Sequence, residues 1–188
     1  MSKHDPPEKD PGLKQGNRVY RCRVFDVFEG DVPLPNGRVS RQSWIDHRPC
    51  IAVVPVNREG RLILIRQYRP AVGRMLIEIP AGNMDREAES VEACVQRELA
   101  EEIGFQAGRL DKLFEGYLTP GYCNEYMYYY LASDLFAASA PPDEDEYIEL
   151  MTASLDQAKQ MIKEGNIIDS KTALGIYMAI DYLKIGDR

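Results

Sequence analysis

Apolar and polar residues alternate along the first third of the chain, a pattern typical of half-buried β-strands. The alternation runs through residues 18–29 and returns in residues 41–47, after an Asn36-Gly37 pair that favours a tight hairpin turn. The sequence therefore predicts a β-hairpin. The residues before it, 1–16, are polar and proline-rich, and we expect them to form a flexible tail.

Further apolar segments predict the core strands of a sheet. Residues 50–57 and 61–69 flank a short polar segment, residues 58–60, that fits a tight turn between two strands. Residues 50–57 are apolar on both faces, as expected of a central strand. Residues 75–82 predict another short strand, which should end at Pro80 because proline cannot donate a hydrogen bond to the ladder.

The rest of the chain carries both helical and strand patterns. Ser90, a favourable N-cap, and Gly104, a favourable residue after a helix, bound a helix over residues 90–103. The later pattern predicts strands at 113–118 and 125–133 around a turn at 119–124, then helices at 154–165 and 170–184. This order predicts an α/β (α+β) fold, in which helices cover a central mixed sheet.

Charge and cysteine content narrow the classes of function. The chain has 188 residues and a net charge of −7, so it lacks the basic surplus that binding to nucleic acid or an anionic membrane requires. Its four cysteines form no CxxC pair and therefore suggest neither a zinc site nor a disulfide framework. No apolar run approaches the length of a membrane span, and the N-terminus lacks an apolar signal core, so we expect a reduced, cytoplasmic protein.

Three glutamates crowd the end of the helix predicted over residues 90–103. Glu98, Glu101 and Glu102 stand at positions i, i+3 and i+4, where like charges weaken a helix by about 0.2–0.5 kcal/mol per pair. Two of them, Glu98 and Glu102, fall in the sector that Val91 and Val95 direct inward at about 100° per residue. A solvated face should lie opposite the valines. Oxygen ligands on neighbouring turns suit a divalent cation such as Mg²⁺, which would relieve the repulsion.

Residues 82–105, GNMDREAESVEACVQRELAEEIGF, resemble the Nudix box, Gx5Ex7REUxEExGU, in which U is an apolar residue. The half that begins at Arg97 matches without a gap. The first half has one extra residue, because six residues separate Gly82 from Glu89 where the motif has five. We interpret this residue as an insertion in the loop before the helix, which leaves the helix itself intact.

Segments outside the box resemble one branch of this family, the ADP-ribose pyrophosphatases. They are RQYRPAVGRMLIEIPAG before the box, TPGYCNE after it, DEDEYIEL further on, and the two closing helices. The resemblance implies a Nudix-type α/β/α sandwich preceded by an N-terminal antiparallel strand segment. We expect three parts: a tail at residues 1–16, N-terminal strands and a dimerisation segment at 17–49, and the Nudix hydrolase domain at 50–188.

The resemblance also assigns roles to the residues of the box. It implies that Glu98 and Glu102 are the main ligands of Mg²⁺, or of Mn²⁺ in its place, and that the Ala81 carbonyl oxygen completes the coordination. Arg97 would pair with Glu89 and hold the helix against its loop. The remaining positions are two structural glycines and one nearby catalytic carboxylate: Gly82, Gly104 and Glu101.

Residues outside the box receive roles in the same way. In the acidic loop, Glu144 and Glu146 match the family's mobile carboxylates, one as the general base and one as a further metal ligand. Arg69 would contact a substrate phosphate. The terminal ribose would be held by four residues of one turn: Thr119, Gly121, Tyr122 and Glu125. Trp44, the only tryptophan, is a candidate for stacking on adenine, with core or dimer packing as the alternative.

The resemblance implies Mg²⁺-dependent hydrolysis of the diphosphate of ADP-ribose to AMP and ribose 5-phosphate. Two alternatives remain open, namely a hydrolase of another or several nucleoside diphosphate sugars, and a nucleotide-sensing module that does not cleave. Such modules usually lose glutamates from the box, whereas this chain keeps Glu98, Glu101 and Glu102. The expected partners are a small nucleoside diphosphate sugar and a second copy of the chain, but no nucleic acid and no membrane.

Overall fold

The computed structural model describes residues 16–138, 140 and 147–186. Within it the chain divides into two compact units. The first holds the residues up to Pro49 together with Gly116–Met127, and the second holds Cys50–Glu115 and the residues from Tyr128 onward. Apart from Gly16, the predicted tail lies outside the described residues.

A three-stranded antiparallel sheet forms the first unit, with β1 (Asn17–Arg21), β2 (Phe25–Pro33) and β3 (Val39–His47) in that order. The predicted hairpin is β2–β3, and Gly37 takes the left-handed conformation (φ 79°) that its turn requires. The strand predicted over residues 18–29 is in fact two strands. Between them the backbone turns, and the Cys22 N–H donates to the Phe25 carbonyl at 3.0 Å.

The remaining elements form two further sheets and three helices. The strands are β4 (Cys50–Pro55), β5 (Arg61–Arg69), β6 (Arg74–Glu78), β7 (Ala81–Asn83), β8 (Phe105–Tyr117), β9 (Tyr126–Ala137) and β10 (Ile148–Ser154). The helices are α1 (Val91–Ile103), α2 (Leu155–Lys163) and α3 (Ser170–Gly186). The sheet orders are β10-β5-β6 and β7-β4-β9-β8.

The core of the second unit lies around β4. All six residues of β4 are buried, which confirms it as a central strand. Helix α1 packs on β4, β5 and β7, helix α3 packs on β4 and β6, and α2 packs on α3 and β10. Within the part of the chain that the structure describes, no helix is both long and apolar enough to cross a membrane.

Two further strands were missed by the prediction. Pro80 ends β6 as expected, but the chain then pairs again, because Ala81–Asn83 form β7 against β4, with Gly82 opposite Ile51. Strand β10 was not predicted, since it follows the acidic residues 141–146 and alternates only weakly. Leu150 in β10 is apolar but exposed, so the alternation of apolar and polar residues does not mark a buried face of this strand.

Helix α1 begins and ends where the sequence predicted. The Ser90 side chain accepts a hydrogen bond from the Ala93 N–H at 3.1 Å, and Gly104 is left-handed (φ 73°) with its N–H bound to the Leu99 carbonyl. The inserted residue lies before this cap, as we inferred. There Ala88 has a φ of 61°, a conformation that few residues other than glycine adopt.

Replacing Ala88 by glycine should stabilise the protein. An alanine in the left-handed region costs about 1–2 kcal/mol, and glycine avoids this cost but loses about 0.5–1 kcal/mol through its freer unfolded chain. We expect a net gain of about 0.5–1 kcal/mol in the free energy of unfolding in urea. The matched control, Ala93→Gly on the exposed face of α1, should lose about 1 kcal/mol. An equal loss in both variants would contradict the strain at Ala88.

Candidate active site

Two glutamates of α1 meet the first two residues of strand β7. The Glu102 Oε2 accepts a hydrogen bond from the Ala81 N–H at 3.1 Å. The Glu98 carboxylate lies so close to Gly82 that a Cβ there would stand 2.0 Å from its Oε1. The Glu98 side chain is only 12% exposed. A glycine at position 82 is therefore needed for the carboxylate to occupy this place.

The Arg97 guanidinium binds the carboxylates that surround it. Its Nε and Nη2 donate to the two oxygens of Glu89 at 2.9 and 3.0 Å, a bidentate pair between the helix and its preceding loop. Its Nη1 donates to Glu98 at 2.6 Å and to Glu101 at 2.9 Å. Its Nη2 also reaches the Asn83 carbonyl at 3.1 Å. With 11% of the side chain exposed, Arg97 fixes both α1 and the end of β7.

These contacts shift the pKa of the groups involved. The hydrogen bonds from Arg97 lower the pKa of the Glu89 carboxyl below its ordinary value of 4.5, against the opposing effect of burial. The hydrogen bond to Glu89 is also the main reason why the pKa of Arg97 is raised. Both groups are therefore charged at neutral pH.

Glu101 is held by two guanidiniums. Besides Arg97, the Arg86 Nη2 donates to its Oε1 at 2.9 Å. Arg86 belongs to the loop that carries the insertion, so this loop reaches the last turn of the helix. Glu144 and Glu146, the other two predicted catalytic carboxylates, lie outside the described residues.

The residues around Ala81 and Gly82 fit a hard divalent cation. The donors gathered here are carboxylate and backbone oxygens, which Mg²⁺ and Mn²⁺ prefer. The carboxylates of the box outnumber the two guanidiniums that pair with them, Arg86 and Arg97. The last turn of α1 contains no basic residue, and the C-terminal end of the helix dipole adds to this negative charge. The surplus favours the binding of a cation.

Arg69 is not isolated at the end of β5. Its Nε and Nη2 donate to the two oxygens of Glu78 at 2.9 and 2.8 Å, and Lys171 contacts the same carboxylate from α3. Sequence analysis missed Glu78 and Lys171. A signal was present, because Glu78 is the only charged residue between Met75 and Pro80 in a segment otherwise made of apolar residues.

The predicted base-binding and ribose-binding residues lie in the first unit. The Trp44 ring stacks on Phe28 at 5.8 Å between centroids, with 11° between the planes. Strand β3 is joined to the turn at 119–124, because the Ile45 N–H donates to the Tyr122 carbonyl at 2.8 Å. Trp44, Gly121 and Tyr122 line one cavity of about 550 Å³, with Phe28 as a further wall.

Two of the predicted ribose residues are not part of that cavity wall. The Thr119 carbonyl instead accepts hydrogen bonds from the Tyr122 and Cys123 N–H groups at 3.2 and 3.0 Å, and so shapes the turn. The Glu125 carbonyl accepts from the Leu118 N–H at 3.1 Å, which closes the base of the turn. Both residues thus have backbone contacts that hold Gly121 and Tyr122 in place.

Comparisons with known proteins place this site in a family. The model of the NUDIX domain matches residues 46–172. The ADP-ribose pyrophosphatase of Bacillus subtilis is 34% identical over 170 residues, which cover 89% of each chain. The GDP-mannose pyrophosphatase of Citrobacter koseri is 38% identical over 178 residues, which cover 88% of this chain and 90% of the relative. The crystal structure of an ADP compounds hydrolase aligns with a TM-score of 0.80 at 26% identity, covering 89% and 91% of the two chains.

The chain belongs to the Nudix family. It is a Nudix pyrophosphohydrolase, as the resemblance in residues 82–105 predicted. The predicted fold class is also confirmed, because the solved hydrolase structure shares the mixed arrangement of strands and helices over nearly the whole chain. The inserted residue before the helix is therefore compatible with the fold.

Removing the Glu89 carboxylate should change the pH dependence of stability. Because its pKa is lowered in the folded state, its contribution is fully present above pH 4.5 and is lost as the pH falls through the lowered value. We expect Glu89→Gln to lose about 1.5–3 kcal/mol of unfolding free energy at neutral pH. The curves of variant and wild type should converge in acid, measured by urea unfolding from neutral to acid pH.

The matched control is Glu87→Gln, an exposed carboxylate in the same loop. Its stability curve should run parallel to that of the wild type. Parallel curves for Glu89→Gln as well would contradict a special role of the pair with Arg97.

Proposed function

We propose that this pyrophosphohydrolase cleaves the diphosphate linkage of ADP-ribose, in the presence of Mg²⁺ or Mn²⁺, to give AMP and ribose 5-phosphate. The observation that carries the proposal is that Glu98 and Glu102 both contact strand β7, at Gly82 and Ala81 respectively. The likeness to the ADP-ribose pyrophosphatase of Bacillus subtilis over 89% of the chain supports the choice of substrate.

The reaction breaks one phosphorus–oxygen bond of the diphosphate by in-line attack of water. A divalent cation, when bound, supplies positive charge that stabilises the phosphate oxygens and acidifies the attacking water. Glu98 and Glu102 would hold it together with the Ala81 carbonyl oxygen. Arg97 orients Glu98 through its 2.6 Å hydrogen bond, so the helix presents a fixed carboxylate before any ligand arrives.

A general base must remove a proton from the attacking water. We assign this role to one of the acidic-loop glutamates, Glu144 or Glu146, with the other as a further metal ligand. Glu101, the nearby catalytic carboxylate of the resemblance, accepts hydrogen bonds from Arg86 on one oxygen and from Arg97 on the other. Both of its carboxylate oxygens therefore already accept hydrogen bonds within the box. We therefore propose that Glu101 orients Arg97.

We propose roles in substrate binding for residues of each unit, taken separately. Arg69 would bind a phosphate, with its guanidinium oriented by Glu78. Trp44 and Phe28 offer parallel aromatic rings in a cavity of the size that suits a base or a sugar. Gly121 and Tyr122 line that cavity, and Thr119 and Glu125 would support the turn that carries them.

GDP-mannose is the second candidate substrate. The GDP-mannose pyrophosphatase of Citrobacter koseri is 38% identical to this chain, slightly more than the ADP-ribose enzyme at 34%. The hydrolytic step would be the same for both substrates. The choice between them depends on the base and the sugar, and hence on the residues around Trp44.

We also propose that the protein is a homodimer formed by the strands of residues 17–49. Strand β1 lies at the edge of its sheet, and all five of its residues are exposed. Among them, Val19 and Tyr20 are apolar and 58% and 56% exposed. An open strand edge with apolar side chains is a common place for pairing with another chain.

Light scattering should then give twice the chain mass of 21.4 kDa. The variant Val19→Asp should shift the mass to that of a single chain, because a charge would be buried in the interface. The matched control is Val72→Asp in the second unit, where the valine is 56% exposed. A single-chain mass for the wild type, or dissociation by the control instead, would contradict this interface.

The hydrolytic proposal is tested by a product assay with Mg²⁺ and a panel of ADP-ribose, GDP-mannose, UDP-glucose and diadenosine polyphosphates. We expect release of AMP from ADP-ribose. Glu102→Gln and Gly82→Ala should lower the rate by about 10–100-fold or more, since one removes a ligand and the other displaces Glu98. The control Gly37→Ala should keep the rate and lose only stability, because a Cβ there meets nothing within 4 Å although the backbone is left-handed.

Each other outcome has a distinct meaning. Preferred cleavage of GDP-mannose would move the substrate assignment and leave the mechanism unchanged. Full activity of Gly82→Ala would contradict the arrangement of Glu98 around Gly82. Binding of ADP-ribose without cleavage of any panel member would favour a sensing module.

A further inference from the structure

The buried carboxylate of Glu78 is the centre of an ion cluster that the hydrolytic step does not use. Glu78 is 1% exposed and accepts both hydrogen bonds of the Arg69 fork. On its other side it contacts the Lys171 ammonium, which also donates to Asp169 at 2.9 Å. Burial alone would raise the pKa of Glu78, but Arg69 and Lys171 outweigh this effect and lower it.

The cluster joins the ends of two neighbouring strands to a helix that is distant in the sequence. Arg69 ends β5, Glu78 ends β6, and Lys171 stands in the first turn of α3, 93 positions after Glu78. Asp169 caps this helix, because its Oδ2 accepts from the Thr172 N–H at 2.9 Å. The start of α3 is thereby fixed against the ends of both strands.

A second contact from the same helix start holds the backbone beside Glu78. The buried Thr172 Oγ1 accepts a hydrogen bond from the Ile79 N–H at 2.9 Å and donates to Asp169 at 2.6 Å. One residue further along, the Pro80 carbonyl accepts a hydrogen bond from the Val53 N–H at 2.9 Å. The residue after it is Ala81, whose N–H binds Glu102. The segment from Glu78 to Ala81 is therefore fixed at each residue.

Simple stabilisation does not explain a buried ion cluster well, because a hydrophobic group of similar size often stabilises as much. The geometry gives a different reason. One end of the cluster orients the Arg69 fork, and the other fixes the chain that leads to Ala81. Arg69 is proposed to bind a phosphate of the diphosphate, and the Ala81 carbonyl oxygen is proposed to bind the cation.

We propose that Lys171, acting through Glu78 and together with Thr172, is a positioning residue. It aligns Arg69, the proposed phosphate ligand, with Ala81 of β7, the proposed metal ligand. This inference rests on the proposed function of Arg69 and Ala81. Lys171 itself touches neither the substrate nor the reacting atoms. Its effect is transmitted by Glu78 both to Arg69 and to the backbone that leads to Ala81, whereas Thr172 acts on that backbone alone.

The test uses the full chain and the variants Lys171→Met, Lys171→Arg and Thr172→Val. Four quantities are measured: the melting temperature, kcat, KM for the cleaved panel member, and Mn²⁺ binding without substrate by electron paramagnetic resonance. We expect Lys171→Met to fold, to raise KM by about tenfold and to weaken Mn²⁺ binding by about tenfold. Lys171→Arg should restore both, because it keeps the positive charge beside Glu78.

Thr172→Val separates the effect on the backbone that leads to Ala81 from the effect on Arg69. It removes the hydrogen bond to the Ile79 N–H but leaves the Arg69 fork in place, so Mn²⁺ binding should weaken while KM changes little. The matched control is Lys112→Met. This lysine is also paired with a carboxylate, that of Glu115 at 2.9 Å, but it has no place in the proposed site. Only the melting temperature should change, while kcat, KM and Mn²⁺ binding should stay as in the wild type.

The results distinguish a failure of the Lys171 proposal from a failure of the proposed function. If Lys171→Met only lowers the melting temperature and keeps KM and Mn²⁺ binding, the cluster is structural and the proposal is wrong. If Lys171→Met does not fold, Thr172→Val decides, and unchanged Mn²⁺ binding in it overturns the proposal. If the wild type neither binds Mn²⁺ nor cleaves any panel member, the proposed function itself fails and this inference fails with it.

Discussion

The site depends on one guanidinium that holds together carboxylates which would otherwise repel one another. Arg97 binds Glu89 with two hydrogen bonds and still reaches Glu98 and Glu101 with its third nitrogen. The planar fork of arginine makes this possible, since lysine offers a single charged point. Because Glu89 precedes the helix and Glu98 lies within it, the same side chain fixes the loop and the ligand-bearing turn.

Arg97 compensates only part of the negative charge. Glu102 projects from the next turn onto the Ala81 N–H, and Glu98 occupies the space that glycine leaves at position 82. The helix end contributes a further negative potential. The chain thus concentrates negative charge at one point, and this charge favours the binding of a cation.

The sequence predicted those features that depend on neighbouring residues. The caps of α1, the turn at Gly37 and the apolar strand β4 follow from local patterns, and all three agree with the structure. The pairing of β7 with β4 and the contact of Lys171 with Glu78 were missed. They join residues about 30 and 93 positions apart, and no periodicity in either segment encodes a partner at that distance.

The roles of individual site residues were accessible only through the resemblance to a family. Helical geometry showed that Glu98 and Glu102 face inward, but it could not show that they meet Ala81 and Gly82. That meeting depends on β7, which the sequence did not predict. Conversely, the resemblance gave no warning that Glu101 is held by Arg86, because Arg86 belongs to the loop in which this chain departs from the motif.

The insertion in that loop shows what the motif requires physically. The loop is fixed at one end by the pairing of Gly82 with Ile51 and at the other by the bond between Glu89 and Arg97. Between these points the chain can hold an extra residue if one position turns sharply, and Ala88 does so at a φ of 61°. The cost is about 1–2 kcal/mol of local strain, which is comparable to the contribution of one charged hydrogen bond. Since Arg97 makes several such bonds, the contacts at the two ends outweigh the strain and the helix keeps its place despite the changed spacing.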